Sequence, residues 1–231
     1  MCHDRQRYAK SKNILRIMVR NLLDPIEKEI IDLVEQHEEV WGYSEKILYD
    51  RCIKDMKKAR LCEIEEKDVN GPVKTFLINW GQMGRVLGRE NKEDWEKNLV
   101  YKLREICKEL EKFRKLKLEN TTLSNHEDEI KKCYREIRSV VGPTAATKVL
   151  HLLCPEFFPM WDNAIRKKIS NECEEKSGVR IGDSEEGYYK YMEVIQGFVK
   201  RYDKILSNLN NKYKQSKLRI VDRYMWFVTR K

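Results

Sequence analysis

Apolar residues recur every three or four positions along almost the whole chain, which is the spacing of one face of an α-helix. The pattern predicts about ten helices, including one that starts at Pro25-Ile26, one N-capped by Ser44 and one that runs from Trp95 to Phe113. No stretch of alternating apolar and polar residues rivals this pattern. With ten glycines and five prolines among 231 residues, turns are too few for a β-sandwich or barrel. The predicted fold is all-α.

The same pattern predicts how the chain is divided outside these helices. A first helix is expected over 14–22, ending before Pro25, and a last one over 218–228. The apolar segment 73–87 is helical in spacing but interrupted by glycines, and the polar stretches 174–185 and 208–217 are expected to be loops or irregular.

Composition and charge narrow the functional class. Lys and Arg number 47 and Asp and Glu 38, so the net charge is +9, and the mean hydropathy is −0.73. A hydrophobic content of 41% argues against intrinsic disorder, and no stretch approaches the roughly 20 apolar residues of a membrane span. The start of the chain has no apolar secretory segment. We therefore expect a soluble intracellular protein, either cytoplasmic and nucleoid-associated or elsewhere inside the cell, with a polyanionic partner and no membrane contact.

The seven cysteines are widely spaced, odd in number and without a C-x-x-C pair, so free and mostly buried thiols are expected. His151 and Cys154 are three residues apart on a predicted helix. We interpret them as core residues, because no second ligand pair accompanies them, and we predict no metal site.

The most informative segment is a predicted helix–turn–helix at 137–150. An amphipathic helix ends at Val141, the chain turns at Gly142, and Pro143 is well suited to the first position of a new helix. Small residues after Pro143 allow close helix packing. Backbone N–H groups at such a helix N-terminus, those of Thr144, Ala145 and Ala146, are suited to bind a phosphate, although an ordinary helix corner has the same pattern.

Residues 141–150, Val-Gly-Pro-Thr-Ala-Ala-Thr-Lys-Val-Leu, resemble the hairpin of the helix-hairpin-helix DNA glycosylase superfamily, which includes endonuclease III and adenine glycosylase. That family has an essential Asp at the start of the following helix. Asp162 lies at the matching distance, since 162 − 144 gives 18 residues beyond Thr144. The resemblance is specific over about residues 130–170 and implies that Asp162 is the catalytic carboxylate. Taken from its sequence alone, Asp162 is better explained as a helix N-cap, a role compatible with catalysis.

The resemblance also implies an architecture of two helical subdomains around the hairpin. The chain would form one unit over 1–231. A central helical barrel would span roughly 45–155, with the hairpin at 130–153, and residues 1–44 and 156–231 would form the second subdomain.

Two departures from the family pattern change the expected activity. Val140 replaces the first glycine of the hairpin, and Thr144 occupies the position of the lysine that forms a Schiff base in bifunctional members. A threonine hydroxyl cannot form an imine, so the resemblance implies a monofunctional glycosylase. No cysteine follows Cys173, so the iron–sulfur cluster of some members is not expected, and no other cofactor is implied. We interpret Lys148 as solvated or phosphate-facing rather than catalytic.

The remaining site residues are predicted by their position near this motif. The expected DNA contacts, some through the backbone, are Gly142, Thr144, Ala145, Lys148, Arg166 and Lys167. The candidates for holding a flipped base are Trp161, Trp80 and Gln82, although core packing is the favoured explanation for both tryptophans.

The sequence thus predicts a monomeric DNA N-glycosylase that removes a damaged or mismatched base from double-stranded DNA during base-excision repair. The alternative from the same resemblance is a non-catalytic protein that binds DNA or RNA through the hairpin. A third hypothesis is a helical scaffold that binds protein partners through segments 99–116 and 188–206, which requires an exposed apolar stripe on one of them.

Overall fold

A computed structural model describes residues 22–87 and 94–230, without the side chains of residues 41–44, 85 and 86. Over these residues the chain is all-α and contains no strand, as the apolar spacing predicts. The helix predicted over 14–22 lies outside the described residues except for Leu22, which is in a turn.

Nine α-helices of seven residues or more make up most of the described chain. They are α1 (Glu27–Lys58), α2 (Trp95–Glu105), α3 (Cys107–Phe113), α4 (Glu127–Val141), α5 (Pro143–Leu153), α6 (Asn163–Ser177), α7 (Glu185–Arg201), α8 (Asp203–Tyr213) and α9 (Lys217–Val228). Shorter helical turns cover Leu61–Glu63, Glu66–Asp68, Val69–Val73, Phe76–Trp80, Gly84–Leu87, Leu118–Asn120 and Leu123–His126.

Several predicted boundaries are wrong for identifiable reasons. Ser44 does not begin a helix, because α1 continues through it for 32 residues. A glycine within a helix costs about 1 kcal/mol, and the packing of α1 as a whole against α5 and α9 offsets the cost of Gly42. The helix predicted from Trp95 to Phe113 is divided at the buried Ile106, whose φ of −111° leaves the helical region.

The two polar stretches are also more helical than predicted. α6 extends to Ser177 and ends at Gly178, which has φ +69°. α8 covers 203–213, because Leu209 and Tyr213 form a buried face among otherwise polar residues. Only the residues after each helix form the expected irregular connections.

The core contains a cluster of aromatic rings between α3, α4 and α7. Phe113 stacks on Phe157 with ring centroids 4.5 Å apart, and Tyr134 stacks on Tyr188 at the same distance. Trp161 joins this cluster, with its ring 5.3 Å from Tyr188. These contacts fix the segment that connects α5 to α6.

The expectation that the thiols are free is wrong for Cys62 and Cys107, which form a disulfide. Their separation of 45 residues gives no sequence signal, but the turn Leu61–Glu63 packs against α3 and brings the two Cα atoms to 5.0 Å. Four other cysteines are free and buried, namely Cys52, Cys133, Cys154 and Cys173. Cys2 lies outside the described residues.

His151 is a core residue with both ring nitrogens in hydrogen bonds. Its Nδ1 donates to the Phe158 carbonyl at 2.8 Å, so its Nε2 accepts from the Tyr49 hydroxyl at 2.7 Å. Burial lowers the pKa of His151 to about 3, which keeps the ring neutral. Cys154 is buried beside Leu110, whose carbonyl lies 3.5 Å from its Sγ.

Two kinds of feature are absent from the described residues. None of the helices there combines the length and apolar character needed to cross a membrane. No group of three or more His, Cys, Asp or Glu side chains in the same ranges is arranged to hold a metal ion.

Candidate functional site

The predicted hairpin is formed by α4 and α5, with Gly142 as the single residue between them. Gly142 has φ +82° and ψ 171°, a conformation that is essentially restricted to glycine. A Cβ atom here would meet nothing within 4 Å, so the backbone conformation rather than crowding requires glycine. Ala145 and Ala146 are completely buried and allow α5 to pack closely on α4.

Asp162 lies at the N-terminus of α6, where it is the helix N-cap that the sequence predicts. Its Oδ1 accepts a hydrogen bond from the Ile165 N–H at 2.9 Å. Its Oδ2 forms an ion pair with the Arg230 guanidinium, which follows α9. The carboxylate is 22% exposed, so it is accessible from solvent although both oxygens have partners.

The hairpin and Asp162 face the same cavity, which has a volume of about 700 Å³. This is within the usual range for a small-molecule site. The predicted residues that line it are Thr144, Lys148, Asp162, Trp161, Trp80 and Gln82. Further walls come from the middle of α1 and from one face of α9.

Lys148 extends from α5 of the hairpin toward segment 79–83 and forms part of the cavity wall. Its Nζ donates to the Gly81 carbonyl at 2.7 Å and lies 5.6 Å from the centroid of the Trp80 ring. Burial lowers the pKa of Lys148 to about 8, although Asp222 and Asp162 act in the opposite direction. The amine is therefore held inside the cavity rather than solvated, and its other predicted role, contact with a phosphate, stays a prediction.

A buried ionic cluster forms the next part of the wall. The Arg219 guanidinium binds both Glu45 and Asp222, and Glu45 also accepts the indole N–H of Trp80. The guanidinium carbon lies 4.8 Å from the centroid of Trp80 and 5.1 Å from that of Tyr49. Arg219 thus ties α1, α9 and segment 76–80 together.

The charges in this cluster shift one another's pKa values. Burial acts to lower the pKa of Arg219, but Glu45 and Asp222 raise it above its usual value. Burial raises the pKa of the Asp222 carboxyl, while Arg219 and Lys148 oppose the increase. Buried charges in a cavity with such shifts are typical of functional sites, and structural ion pairs share the property.

Both predicted base-binding tryptophans are packed against other side chains. Trp161 is buried, with Tyr191 5.0 Å and Tyr188 5.3 Å from its ring, and its indole N–H has no acceptor among the described residues. Trp80 stacks on Phe76 at 4.4 Å. These contacts agree with the core packing that the sequence favours for both tryptophans.

The remaining predicted residues lie around the cavity rather than in its lining. Gly142 forms the hairpin turn, and Arg166 and Lys167 lie on the first turns of α6 directly after Asp162. Lys167 is exposed, whereas Arg166 is half-buried and contacts the Asn163 side chain at 3.4 Å. Ala145 is completely buried, whereas Gly142 and Thr144 are partly exposed, so of the three predicted backbone contacts only these two are open to a phosphate.

The cavity residues that α9 and the middle of α1 contribute were not predicted from the sequence. These are Glu45 and His37 of α1, Arg219, Asp222 and Trp226 of α9, and Arg230 after it. A signal was present, since Arg219, Asp222, Trp226 and Arg230 recur at helical spacing within an apolar segment. Charged residues on the buried side of a helix need partners, and those partners mark a site.

The scaffold hypothesis requires an exposed apolar stripe on segment 99–116 or 188–206. All residues of both segments are described, and Tyr101 is the only large hydrophobic residue among them that is exposed. A single residue is not a stripe, so the surface of these helices does not favour partner binding.

In comparisons with known proteins, no family model matches the chain, and no curated protein or solved structure is significantly similar to it. The site is therefore interpreted from its own chemistry.

Proposed function

We propose that the protein is a DNA N-glycosylase that hydrolyses the bond between a damaged or mismatched base and its deoxyribose. The observation that carries the proposal is the position of Asp162. It lies on the wall of the same 700 Å³ cavity as Thr144, a partly exposed residue in the first turn of α5, next to the hairpin turn that would bind the DNA backbone. The proposal is supported because Asp162, the helix hairpin and a cavity large enough to admit a base lie together.

The reaction needs a negative group beside the sugar. The bond between C1′ and the base nitrogen breaks with its electrons moving to the base, so positive charge develops on the sugar. Water then adds its oxygen to C1′, and its proton passes to the base or to solvent. Asp162 is suited to stabilise the sugar cation, since the Ile165 N–H fixes its orientation.

Phosphates on either side of the flipped nucleotide would be bound by groups around the cavity. Gly142 and Thr144 offer the N-terminus of α5, while Arg166 and Lys167 lie beside Asp162 on α6. Thr144 has no amine, and the Lys148 amine is bound to the Gly81 carbonyl, so the proposed activity is base release without strand cleavage.

The test uses duplexes that each contain one damaged or mismatched base, with alkali added to cleave abasic sites. We expect alkali-dependent cleavage of at least one duplex, and a fall of about 100-fold or more in its single-turnover rate for Asp162→Asn. Asn is also a good N-cap, so this variant should fold. Asp24→Asn is the matched control, because Asp24 also pairs with an arginine, Arg201, at 2.8 Å and lies outside the cavity lining.

The second candidate is a non-catalytic nucleic-acid-binding protein, and one observation favours it. Both Asp162 oxygens have protein partners, so cap and ion pair account for the residue without catalysis. This candidate predicts binding that weakens steeply with salt and is unchanged by Asp162→Asn. No cleavage of any duplex, together with such binding, would replace the glycosylase by this function.

A further inference from the structure

Arg230 fills a space between the Trp226 ring and the Asp162 carboxylate. Its guanidinium carbon lies 4.5 Å from the ring centroid, and its Nη2 is paired with Asp162 Oδ2. A guanidinium is a flat, delocalised cation. The space is thus built for a flat group that carries positive charge and donates a hydrogen bond to a carboxylate.

The charges around the cavity show what would follow if Arg230 moved away. Three carboxylates line the cavity, from Glu45, Asp162 and Asp222, along with three cationic groups from Lys148, Arg219 and Arg230. His37, which approaches Trp226 edge-on at 5.6 Å, adds no charge, because burial and the nearby arginines lower its pKa to about 2. Without Arg230, three negative groups face two positive ones, and a cationic ligand would restore the balance.

Arg230 is also held loosely enough to be replaced. Its side chain is 28% exposed, and it lies two residues beyond the end of α9, whereas the Arg219 side chain is 2% exposed within the helix. Besides Asp162, its guanidinium contacts the Trp226 carbonyl at 3.2 Å and the Thr229 hydroxyl at 3.4 Å, both on its own segment. A DNA phosphate is a strong alternative partner for such an arginine.

We propose that Trp226 and Asp162 form a subsite for a positively charged nucleobase, such as a purine alkylated at N3 or N7, and that Arg230 occupies it until DNA binds. The inference rests on the proposed glycosylase and names its class of substrate. A cationic base leaves the sugar as a neutral molecule, because the electrons of the broken bond cancel its charge. Such a base needs no proton from the protein before it departs.

The subsite is tested first with free nucleosides, by isothermal titration calorimetry in mildly acidic buffer. We expect 7-methylguanosine, which carries a ring charge, to bind about 10-fold more tightly than guanosine. Arg230→Ala should increase the affinity for 7-methylguanosine, because the internal competitor is gone, and Trp226→Leu should abolish the preference. Arg201→Ala is the matched control and should change neither affinity, since Arg201 pairs with Asp24 outside the cavity lining.

The second arm uses duplexes with a single 7-methylguanine or a single neutral lesion. Faster release of the cationic base, and loss of that preference in Trp226→Leu, supports the subsite. Equal affinity for both nucleosides in the wild-type protein and in Arg230→Ala overturns it, even if a neutral base is released. Nucleoside preference without release of any base leaves the subsite standing and refutes the glycosylase instead. Because Arg230 is exposed and outside the helix, its variant keeps the test valid if the Trp226 variants do not fold.

Discussion

The two ends of α9 present the same kinds of group to one cavity, but in different surroundings. At the N-terminal end, Arg219 pairs with Asp222 and Glu45 and lies over Trp80, completely buried. At the C-terminal end, Arg230 pairs with Asp162 and lies over Trp226, partly in solvent. An arginine, a carboxylate and a tryptophan ring therefore make up both clusters.

The difference in burial gives the clusters different roles. A buried ion pair is costly to break because it leaves an uncompensated charge, whereas an exposed pair contributes about 0–1 kcal/mol. Arg219 is thus a structural connection between helices, and Arg230 is a group that a ligand can replace. Identical chemistry does not imply identical function when the access of water differs.

The largest expected change in the free energy of unfolding comes from the buried N-terminal end of α9. Arg219→Met should lower the free energy of unfolding by about 3–5 kcal/mol, since Glu45 and Asp222 would remain buried without their cation. Urea unfolding followed by circular dichroism measures it. A loss below about 1 kcal/mol would show that the cluster is as weakly coupled as an exposed pair, and the contrast between the ends would disappear.

The next largest change in the free energy of unfolding is expected for Lys148, which lines the cavity between the two ends of α9. This change depends on pH. The lowering of its pKa to about 8 from 10.5 corresponds to about 3 kcal/mol of unfavourable burial of charge. Lys148→Met removes that charge and also the hydrogen bond to Gly81, so at pH 7 the variant should be more stable by about 2 kcal/mol.

The pH dependence of this advantage has a definite sign. Below pH 8 the amine is protonated in both the folded and the unfolded chain, so the full penalty is present. Between pH 8 and 10.5 the folded chain has lost the proton that the unfolded chain still binds, so the wild type recovers stability and the advantage shrinks. Unfolding curves across this range test it, with the exposed Lys167→Met as control. A stability difference between Lys148→Met and the wild type that stays constant from pH 8 to 10.5 would contradict the prediction.

The next change is expected at Gly142. Gly142→Ala should lower the free energy of unfolding by about 1–3 kcal/mol, because alanine is strained at φ +82°. The matched control is Gly197→Ala within α7, where a Cβ also meets nothing within 4 Å and φ is not positive. There alanine should stabilise the helix by up to about 1 kcal/mol. Thermal unfolding of both variants separates backbone strain at the hairpin from the general effect of replacing glycine.

The smallest expected change in the free energy of unfolding comes from the partly exposed C-terminal end of α9. Arg230→Ala should alter the free energy of unfolding by less than about 1 kcal/mol, as an exposed ion pair does. Arg201→Ala, which breaks another exposed pair, should behave similarly. A loss comparable with that of Arg219→Met would mean that Arg230 is structural, and it would weaken the case for a displaceable group over Trp226.

Local signals in the sequence were sufficient for the hairpin and the cap. Gly142-Pro143 and Asp162 each determine structure within a few residues, so the turn, the start of α5 and the start of α6 are confirmed. The continuity of α1 through Ser44 was not predictable in this way, since it depends on packing against helices more than 100 residues later. Tertiary contacts override local propensity there.

The candidate site shows the same division. Its predicted half, Asp162, Thr144 and Lys148, follows from a continuous motif, whereas Glu45 and Arg219 are 174 residues apart and meet only in the fold. The disulfide between Cys62 and Cys107 is likewise a consequence of packing. The subdomain division and the DNA partner stay predictions.

The length of α1 has a consequence for insertions and deletions. His37 and Glu45 line the cavity from one continuous helix, and Tyr49 reaches His151 from the next turns. Adding or removing one residue between 37 and 45 would rotate one part of this wall by about 100° relative to the other. Substitutions there would change single contacts, but a change of chain length would dismantle the cavity. Related sequences that retain this site should therefore keep the spacing between these positions fixed, even where the residues between them vary.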